Sequence, residues 1–172
     1  MNIIVAVDEC WGIGKNNDLL FHIPEDMKFF RSMTISKNVI CGKNTLLSFP
    51  GGKPLPDRKH FVFTHGVFPE NDQLVVVSSL ESLLSQVADL PEDDVIVIGG
   101  ESVYRQLLPY CKKAYVTKIF KTDPEATVFF PNLDEHSDFE LTDAGERLIS
   151  KNGLEYAFLT YTNKKFDHKK RI

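Results

Sequence analysis

Short, unbroken runs of β-branched and other apolar residues recur along this chain and constrain its fold more than any other feature. They lie at 3–7, 38–41, 60–64, 74–77, 95–98 and 114–120. Several runs are continuous rather than alternating, which is typical of strands buried on both faces of a sheet. The segments between them predict helices at 24–33, 44–48, 79–88 and 101–108. This alternation predicts an α/β fold with a largely parallel sheet and helices on both faces.

The C-terminal part of the chain has a different pattern. Asn152-Gly153 is a strong hairpin-turn signal between Arg147-Leu148-Ile149 and the aromatic-rich run 154–162. An antiparallel hairpin therefore completes a mixed sheet. The length of 172 residues suits a single domain, which removes about 70% of its extended-chain surface from water. We expect this domain over 1–163, followed by a solvated basic tail over 164–172.

Local signals also predict where helices begin. Ser78 and Glu81 have the spacing of a capping box ahead of the third predicted helix. Pro24 suits the first position of the first helix, because its fixed φ angle matches helical backbone and its missing N–H is not needed there. Glu25 and Asp26 then fall in the first turn, where the helix dipole favours negative charge.

Asp26 is the most informative acidic residue, because its helical face also bears apolar side chains, namely Phe29, Phe30 and Met33. Glu25 and Lys28 are expected to turn toward water. An acid at this position can simply cap the helix in solvent. If desolvated, it has a raised pKa and needs a ligand with paired donors, such as the amidine-like edge of a flat heterocycle.

Two glycine-containing turns join predicted strands to predicted helices. Gly42-Lys43-Asn44-Thr45 follows Val39-Ile40-Cys41, and Gly99-Gly100-Glu101-Ser102 follows Val95-Ile96-Val97-Ile98. Free N–H groups at helix starts bind anions, so the pair of turns can hold the two ends of a dinucleotide. Neither turn is a complete nucleotide-binding signature, and an ordinary βα turn also explains each one. The segment 12–17 suits either a mobile lid or a plain surface loop.

Charge and cysteine content exclude several classes of protein. The formal net charge is −4 and the pI about 5.7, so no global positive field attracts nucleic acid or a membrane surface. The 3 scattered cysteines fit no disulfide framework and the 5 histidines lack metal-ligand spacing, so we expect no metal site. Without a signal peptide or a long apolar stretch, the expected location is the cytoplasm. We expect a monomer, because no large exposed apolar stripe is evident.

Together these segments resemble bacterial dihydrofolate reductase over nearly the whole chain. The stretches that match, in the family's order, are Gly12-Ile13-Gly14, Ile23-Pro24-Glu25-Asp26 with Phe29-Phe30 and Thr34, Gly42-Lys43-Asn44-Thr45 with Ser48, Pro54-Leu55-Pro56-Asp57-Arg58, Ile98-Gly99-Gly100 with Val103-Tyr104, Tyr115-Val116-Thr117, and Phe130-Pro131. The resemblance implies reduction of 7,8-dihydrofolate to 5,6,7,8-tetrahydrofolate by NADPH in support of one-carbon metabolism. Hydride would reach C6 and a proton N5. It also implies that antifolate-type small molecules bind.

For the substrate, the resemblance makes Asp26 the single active-site acid, which binds the 2-amino group and ring N3 of the pterin. Thr117 would hydrogen-bond both the acid and the 2-amino group, and Phe21 would complete the catalytic group as a ring wall. Arg58 would clamp the α-carboxylate of the glutamate tail, although the residues alone also allow a surface arginine. The implied substrate-binding residues are Ile4, Val5, Asp26, Met27, Phe30, Ser48, Phe49, Leu55, Arg58 and Thr117.

For the cofactor, the resemblance implies contacts from the lid-like segment, from both glycine turns and from the end of a neighbouring strand. The implied NADPH-binding residues are Ala6, Ile13, Gly14, Asn17, Gly42, Lys43, Asn44, Thr45, Thr64, His65, Ile98, Gly99, Gly100, Glu101, Ser102, Val103 and Tyr104. Lys43 and His65 are the implied partners of the 2′-phosphate. The family's Gly-Gly peptide bond is cis, which implies the same for Gly99-Gly100.

Two departures from the family pattern bear on function. Leu20-Phe21 replaces Pro-Trp and removes an indole N–H that can hold a water near the pterin. Lys43 replaces arginine, which weakens bidentate phosphate recognition and the preference for NADPH over NADH. The related reductase of riboflavin biosynthesis and a noncatalytic nucleotide-binding protein are alternatives. Asp26 and Arg58 argue against the first. Asp26, Thr117 and the pair Gly99-Gly100 argue against the second.

Overall fold

The computed structural model describes residues 1–69 and 71–167, so residues 168–172 of the predicted tail lie outside the described residues. Within these ranges the strands are β1 (Asn2–Val7), β2 (Gly12–Lys15), β3 (Asp18–Leu19), β4 (Asn38–Gly42), β5 (Lys59–Phe63), β6 (Leu74–Val77), β7 (Val95–Gly99), β8 (Lys113–Ile119), β9 (Val128–Phe129), β10 (Phe139–Ala144), β11 (Leu148–Ile149) and β12 (Glu155–Asn163). The helices are α1 (Pro24–Thr34), α2 (Lys43–Ser48), α3 (Leu80–Val87) and α4 (Glu101–Leu107). Every strand and helix predicted for the parallel part is present, with its ends shifted by no more than one residue.

The central sheet is mixed and mainly parallel, as predicted. Its strand order is β10-β12-β8-β1-β7-β4-β5-β6, and β11 pairs with β12. The strands from β8 to β6 in that order are parallel. The C-terminal strands β10, β11 and β12 are antiparallel. Since parallel strands end at the same edge, the carboxyl ends of β1, β4 and β7 lie together at one side of the molecule.

Both faces of the sheet are covered, which explains the unbroken apolar runs. Along β1, Ile3 packs in a cluster with Leu83 of α3 and Leu107 of α4, whereas the next residue, Ile4, packs in a second cluster with Leu46 of α2. Phe30 of α1 packs against that second cluster. Helices therefore lie on both faces, as predicted. Among the described residues, no helix is long and apolar enough to cross a membrane.

The segment 12–17 is neither an open loop nor irregular. Its first part forms β2, which pairs with β3 as a hairpin and with β9 on its other side. Asn16 and Asn17 form the hairpin turn with φ angles of 50° and 60°, the left-handed conformation that asparagine tolerates. Of the two alternatives, the plain surface loop was wrong, because strands this short and glycine-rich lack a recognisable alternation. The mobile lid stays a prediction.

The cap of α3 differs from the prediction by one residue. Ser79, not Ser78, is the N-cap, and its hydroxyl accepts a hydrogen bond from the Ser82 N–H at 3.1 Å. This satisfies one of the free N–H groups of the first turn. Helix α1 begins at Pro24, as predicted, without a side-chain cap.

The predicted C-terminal hairpin turn is present and contacts the start of α1. Gly153 has a φ of 84° and the turn links β11 to β12. The Lys151 N–H donates to Glu25 Oε1 at 3.0 Å, and Asn152 Nδ2 donates to the His22 carbonyl oxygen at 2.7 Å. The expectation that Glu25 turns freely toward water was therefore wrong, because the hairpin turn covers it.

Candidate active site

Asp26 lies in the first turn of α1 and is 8% exposed. Thr117 lies in strand β8 of the sheet, and its Oγ1 donates a hydrogen bond to Asp26 Oδ1 at 2.6 Å. Thr117 itself is fully buried. The sequence-based pairing of these residues is thus present, although they are 91 positions apart.

Burial raises the pKa of the Asp26 carboxyl, and the hydrogen bond from Thr117 opposes part of that rise. Nearby, the buried Tyr104 hydroxyl donates to the Ile4 carbonyl oxygen at 2.8 Å. Burial raises the pKa of Tyr104, and the negative charge of Asp26 adds to that rise. The site therefore holds one acid whose proton is more available near neutral pH than that of a solvated aspartate.

The other implied substrate residues range from buried to exposed, and Phe30, Phe49 and Leu55 are half-buried. Ile4 and Val5 are buried in β1, whereas Met27 of α1 is 46% exposed. On α2, Leu47 is 47% exposed, and sequence reasoning did not single it out. Ser48 is exposed and its Oγ donates to the Thr45 carbonyl oxygen at 2.6 Å. Large apolar side chains left open on both helices are consistent with a cleft for a flat apolar ligand.

Arg58 is not a surface arginine, since only 7% of it is exposed. Its Nε donates to Thr34 Oγ1 at 2.9 Å and its Nη1 donates to the Pro56 carbonyl oxygen at 2.6 Å. Thr34 Oγ1 in turn donates to the Phe30 carbonyl oxygen at 2.7 Å. Burial lowers the pKa of Arg58, and the positive charge of Arg31 adds to this. The guanidinium is held from two sides, and Thr34 acts as a support that sequence reasoning had not given a role.

The two glycine turns lie next to each other in space. A Cβ atom placed on Gly42 would lie 3.2 Å from Val103 Cγ2 and 3.9 Å from the Gly100 nitrogen. A Cβ atom on Gly100 would lie 3.3 Å from Thr45 Oγ1. The Gly99-Gly100 peptide bond is cis, as the resemblance implied. Side chains larger than hydrogen would press against Val103 and Thr45, so the glycines keep the space between the two turns open.

The remaining implied cofactor residues differ in their solvent exposure and in whether another side chain binds them. Lys43, Asn44 and Ser102 are exposed, whereas Glu101 forms an ion pair with Arg105 at 3.0 Å. Ile98 lies buried at the end of β7. Beyond β5, Thr64 Oγ1 accepts a hydrogen bond from the Gly66 N–H at 3.0 Å, and His65 is exposed. A Cβ on Gly66 would lie 3.9 Å from Lys43 Cδ, so these residues form one exposed group.

A narrow cleft beside β1 brings together part of the implied nicotinamide region. Its lining comprises Ala6, Val7, Asp8, Gly12, Ile13, Leu19, Leu20, Phe21 and Ile119. Gly14 follows directly in β2, but Asn17 lies outside this lining at the exposed hairpin turn. One face of the Phe21 ring is covered by Lys121, whose Nζ lies 5.9 Å from the ring centroid.

Asp8 is a buried residue of this region that sequence reasoning missed. Its Oδ1 accepts hydrogen bonds from the Cys10 N–H at 2.8 Å and the Gly12 N–H at 2.7 Å. Its Oδ2 accepts from the Asp123 N–H at 3.1 Å. The carboxylate therefore joins the start of β2 to the segment before β9. An acid directly after a strand and before a glycine turn is the only sequence signal that could have indicated this role.

Comparison with known proteins agrees with this geometry. The family model described as dihydrofolate reductase matches residues 1–163. The dihydrofolate reductase of Bacillus subtilis is 37% identical over 165 residues, covering 95% of each chain. That of Haemophilus influenzae is 34% identical over 164 residues, covering 95% of this chain and 98% of the other. A solved structure of dihydrofolate reductase from Enterococcus faecalis, complexed with NADP(H) and RAB-propyl, superposes with a TM-score of 0.79 at 31% identity, covering 94% of this chain and 95% of that one. This chain belongs to the dihydrofolate reductase family.

Proposed function

We propose that this protein reduces 7,8-dihydrofolate to 5,6,7,8-tetrahydrofolate with NADPH, and so supports one-carbon metabolism. The observation that supports this most directly is the buried Asp26 carboxyl with its hydrogen bond from Thr117 at 2.6 Å. An acid kept in an apolar site needs a partner with paired donors, and the 2-amino group and N3 of a pterin provide them. The family membership of the chain gives the same reaction.

Asp26 has two tasks in this proposal. It orients the pterin through two hydrogen bonds, while the Thr117 hydroxyl fixes the carboxylate for that contact. Because burial raises its pKa, it also retains a proton closer to neutral pH and helps to protonate N5 before hydride reaches C6. Phe21 supplies a ring wall and, without an indole N–H, leaves any water near the pterin to be held by other groups.

The residues present fit NADPH. Bound NADPH supplies the hydride. The space between Gly42 and Gly100 leaves room for phosphate oxygens, and a Cβ on either glycine would occupy it. The exposed group around Lys43 and His65 offers a positive charge and a hydrogen-bonding ring to the 2′-phosphate. Ala6 and Ile13 line the narrow cleft beside β1, and their backbones are proposed to meet the carboxamide.

Arg58 completes the proposed substrate site. Thr34 and the Pro56 carbonyl hold the guanidinium in one orientation, and its other N–H groups remain for the α-carboxylate of the glutamate tail. Diaminopyrimidine-type antifolates have the same amidine-like edge as the pterin and are proposed to bind Asp26 in the same way. We further propose that the enzyme is cytoplasmic and monomeric. Sedimentation of the purified protein would test the monomeric state.

Oxidation of NADPH with dihydrofolate, followed by absorbance, is the experiment that tests this function. We expect saturable turnover that falls as the pH rises, because the reaction consumes a proton. The same assay with NADH tests cofactor choice. A folded protein that binds NADPH but does not oxidise it with dihydrofolate would contradict the proposal.

Replacement of Lys43 by alanine is expected to raise the KM for NADPH about tenfold, the size of one lost charge-assisted hydrogen bond. The KM for NADH should hardly change, because NADH lacks the 2′-phosphate. Steady-state kinetics with both cofactors measure this directly. Equal losses with NADPH and NADH would show that Lys43 does not recognise the 2′-phosphate.

Replacement of Gly14 by alanine is expected to lower kcat/KM for NADPH about tenfold, because it displaces backbone proposed to meet the cofactor, and misplacements of about 1 Å can cost up to about 100-fold. The added Cβ would lie 2.8 Å from the Asp18 carbonyl oxygen and push β3 away from β2. Gly145→Ala is a matched control, since its Cβ would lie 2.6 Å from the Phe158 carbonyl oxygen, in the C-terminal strands and outside the implied cofactor residues. If both variants lower kcat/KM equally, the hairpin of β2 and β3 has no specific role.

A further inference from the structure

His60 is a buried polar residue to which the proposed function assigns no role. It is the second residue of β5 and is 0% exposed. Its ring packs edge-on against Phe49, with 6.1 Å between the centroids and 71° between the planes. Its Nε2 accepts a hydrogen bond from the Leu55 N–H at 3.2 Å. His60 thus contacts two of the residues implied to line the substrate site.

The hydrogen bond from Leu55 is unusual because of its flanking residues. In Pro54-Leu55-Pro56 only Leu55 has a backbone N–H, since proline has none. This stretch has no helical or strand hydrogen bonds of its own. The His60 ring therefore takes the single backbone donor of the stretch, while Arg58 takes the Pro56 carbonyl oxygen at 2.6 Å.

The ring is suited to act as an acceptor. Burial lowers the pKa of His60 to about 4, and the positive charge of Arg58 contributes to this. The imidazole is therefore neutral at physiological pH. Since Nε2 accepts the Leu55 N–H, the ring proton is on Nδ1.

We propose that His60 is a positioning residue for the p-aminobenzoylglutamate half of dihydrofolate. It fixes Leu55 through the hydrogen bond and Phe49 through ring packing, and so sets the shape of the chain that leads to Arg58. This role rests on the proposed function, and it adds a residue that does not itself reach the ligand. Its effect should be confined to the tail half of the substrate, whereas a merely structural histidine would affect every activity alike.

The test compares His60→Leu with His60→Gln, using dihydrofolate and a dihydropterin that lacks the p-aminobenzoylglutamate tail. Leucine removes the acceptor. The amide oxygen of glutamine is as many bonds from Cβ as Nε2 is, so it can accept from Leu55. We expect His60→Leu to raise the KM for dihydrofolate about tenfold, the cost of leaving one donor unpaired, with kcat nearly unchanged. Kinetics with the tail-less dihydropterin should not change, and glutamine should restore most of the affinity.

Several outcomes would overturn the role. Equal losses with both substrates, or an unchanged KM for dihydrofolate in His60→Leu, would each do so. If His60→Leu does not fold, NMR of the unmodified protein decides, since the hydrogen bond predicts a coupling between the Leu55 amide nitrogen and His60 Nε2. Absence of that coupling would overturn the proposal. Failure of the unmodified protein to reduce either substrate would instead contradict the proposed function, and the positioning role with it.

Discussion

Asp26→Asn is expected to slow dihydrofolate reduction at neutral pH by a factor of about 10²–10⁴, the usual contribution of a positioned acid. The fold and NADPH binding should persist, because the asparagine Oδ1 can still accept the Thr117 hydroxyl that now reaches Asp26 Oδ1 at 2.6 Å. What is lost is the negative charge toward the pterin and the exchangeable proton. Steady-state turnover and cofactor titration by fluorescence measure the two effects separately.

The pH dependence of the same variant provides a second readout. Because the folded-state pKa of Asp26 is raised, its ionisation costs stability, and this cost appears as the pH rises through the folded-state pKa. Asp26→Asn should therefore be more stable than the unmodified protein at neutral pH and lose this advantage in acid. Thr117→Ser, which keeps the hydroxyl, serves as the control. Unchanged turnover in Asp26→Asn would remove Asp26 from the mechanism.

Arg58→Leu is expected to raise the KM for dihydrofolate about 100-fold, since removing one partner of a buried charge pair costs several kcal/mol. The kcat value should change little, because the tail is remote from the reacting C6. The guanidinium is already held by Thr34 and Pro56, so the free protein has little to reorganise on binding. Substrate titration at saturating NADPH provides the measurement.

Two variants separate the charge of Arg58 from its placement. Arg58→Lys keeps the charge without the planar fork and should recover only part of the affinity. Thr34→Val keeps the arginine but removes the acceptor for its Nε, and should raise KM by a smaller factor. A KM for dihydrofolate that is the same in Arg58→Leu as in the unmodified protein would show that the tail carboxylate binds elsewhere.

The parallel part of the fold was predictable because its signals are local. The run Val95-Ile96-Val97-Ile98 is buried at every position, as a strand covered on both faces requires. Pro24 marked the start of α1 for reasons that lie within one turn of helix. By contrast, β2, β3 and β9 have two to four residues each and no clear period, so only their pairing defines them. The strand β10 was missed because five of its six residues are exposed, and four of these five are polar or small enough to suit a loop.

The site residues also divide into those that local sequence signals indicate and those that depend on the completed fold. Asp26 could be singled out from its helical face, and Thr117 only through the resemblance, because their hydrogen bond joins residues 91 positions apart. From the residues alone, Arg58 could be either a substrate clamp or a surface arginine, since its partner Thr34 lies on another element. The roles of His60 and Asp8 could hardly be predicted from the sequence. Each side chain binds backbone N–H groups, and the positions of these groups depend on the completed fold.

The contact between the C-terminal hairpin turn and the start of α1 has a consequence for biosynthesis. The helix with Asp26 is translated more than 100 residues before Lys151 and Asn152, which bind Glu25 in its first turn and His22 just ahead of it. The strand β12, which covers β8 and its Thr117, follows them. We therefore expect a ribosome-bound chain to remain without reductase activity until this turn and β12 have emerged.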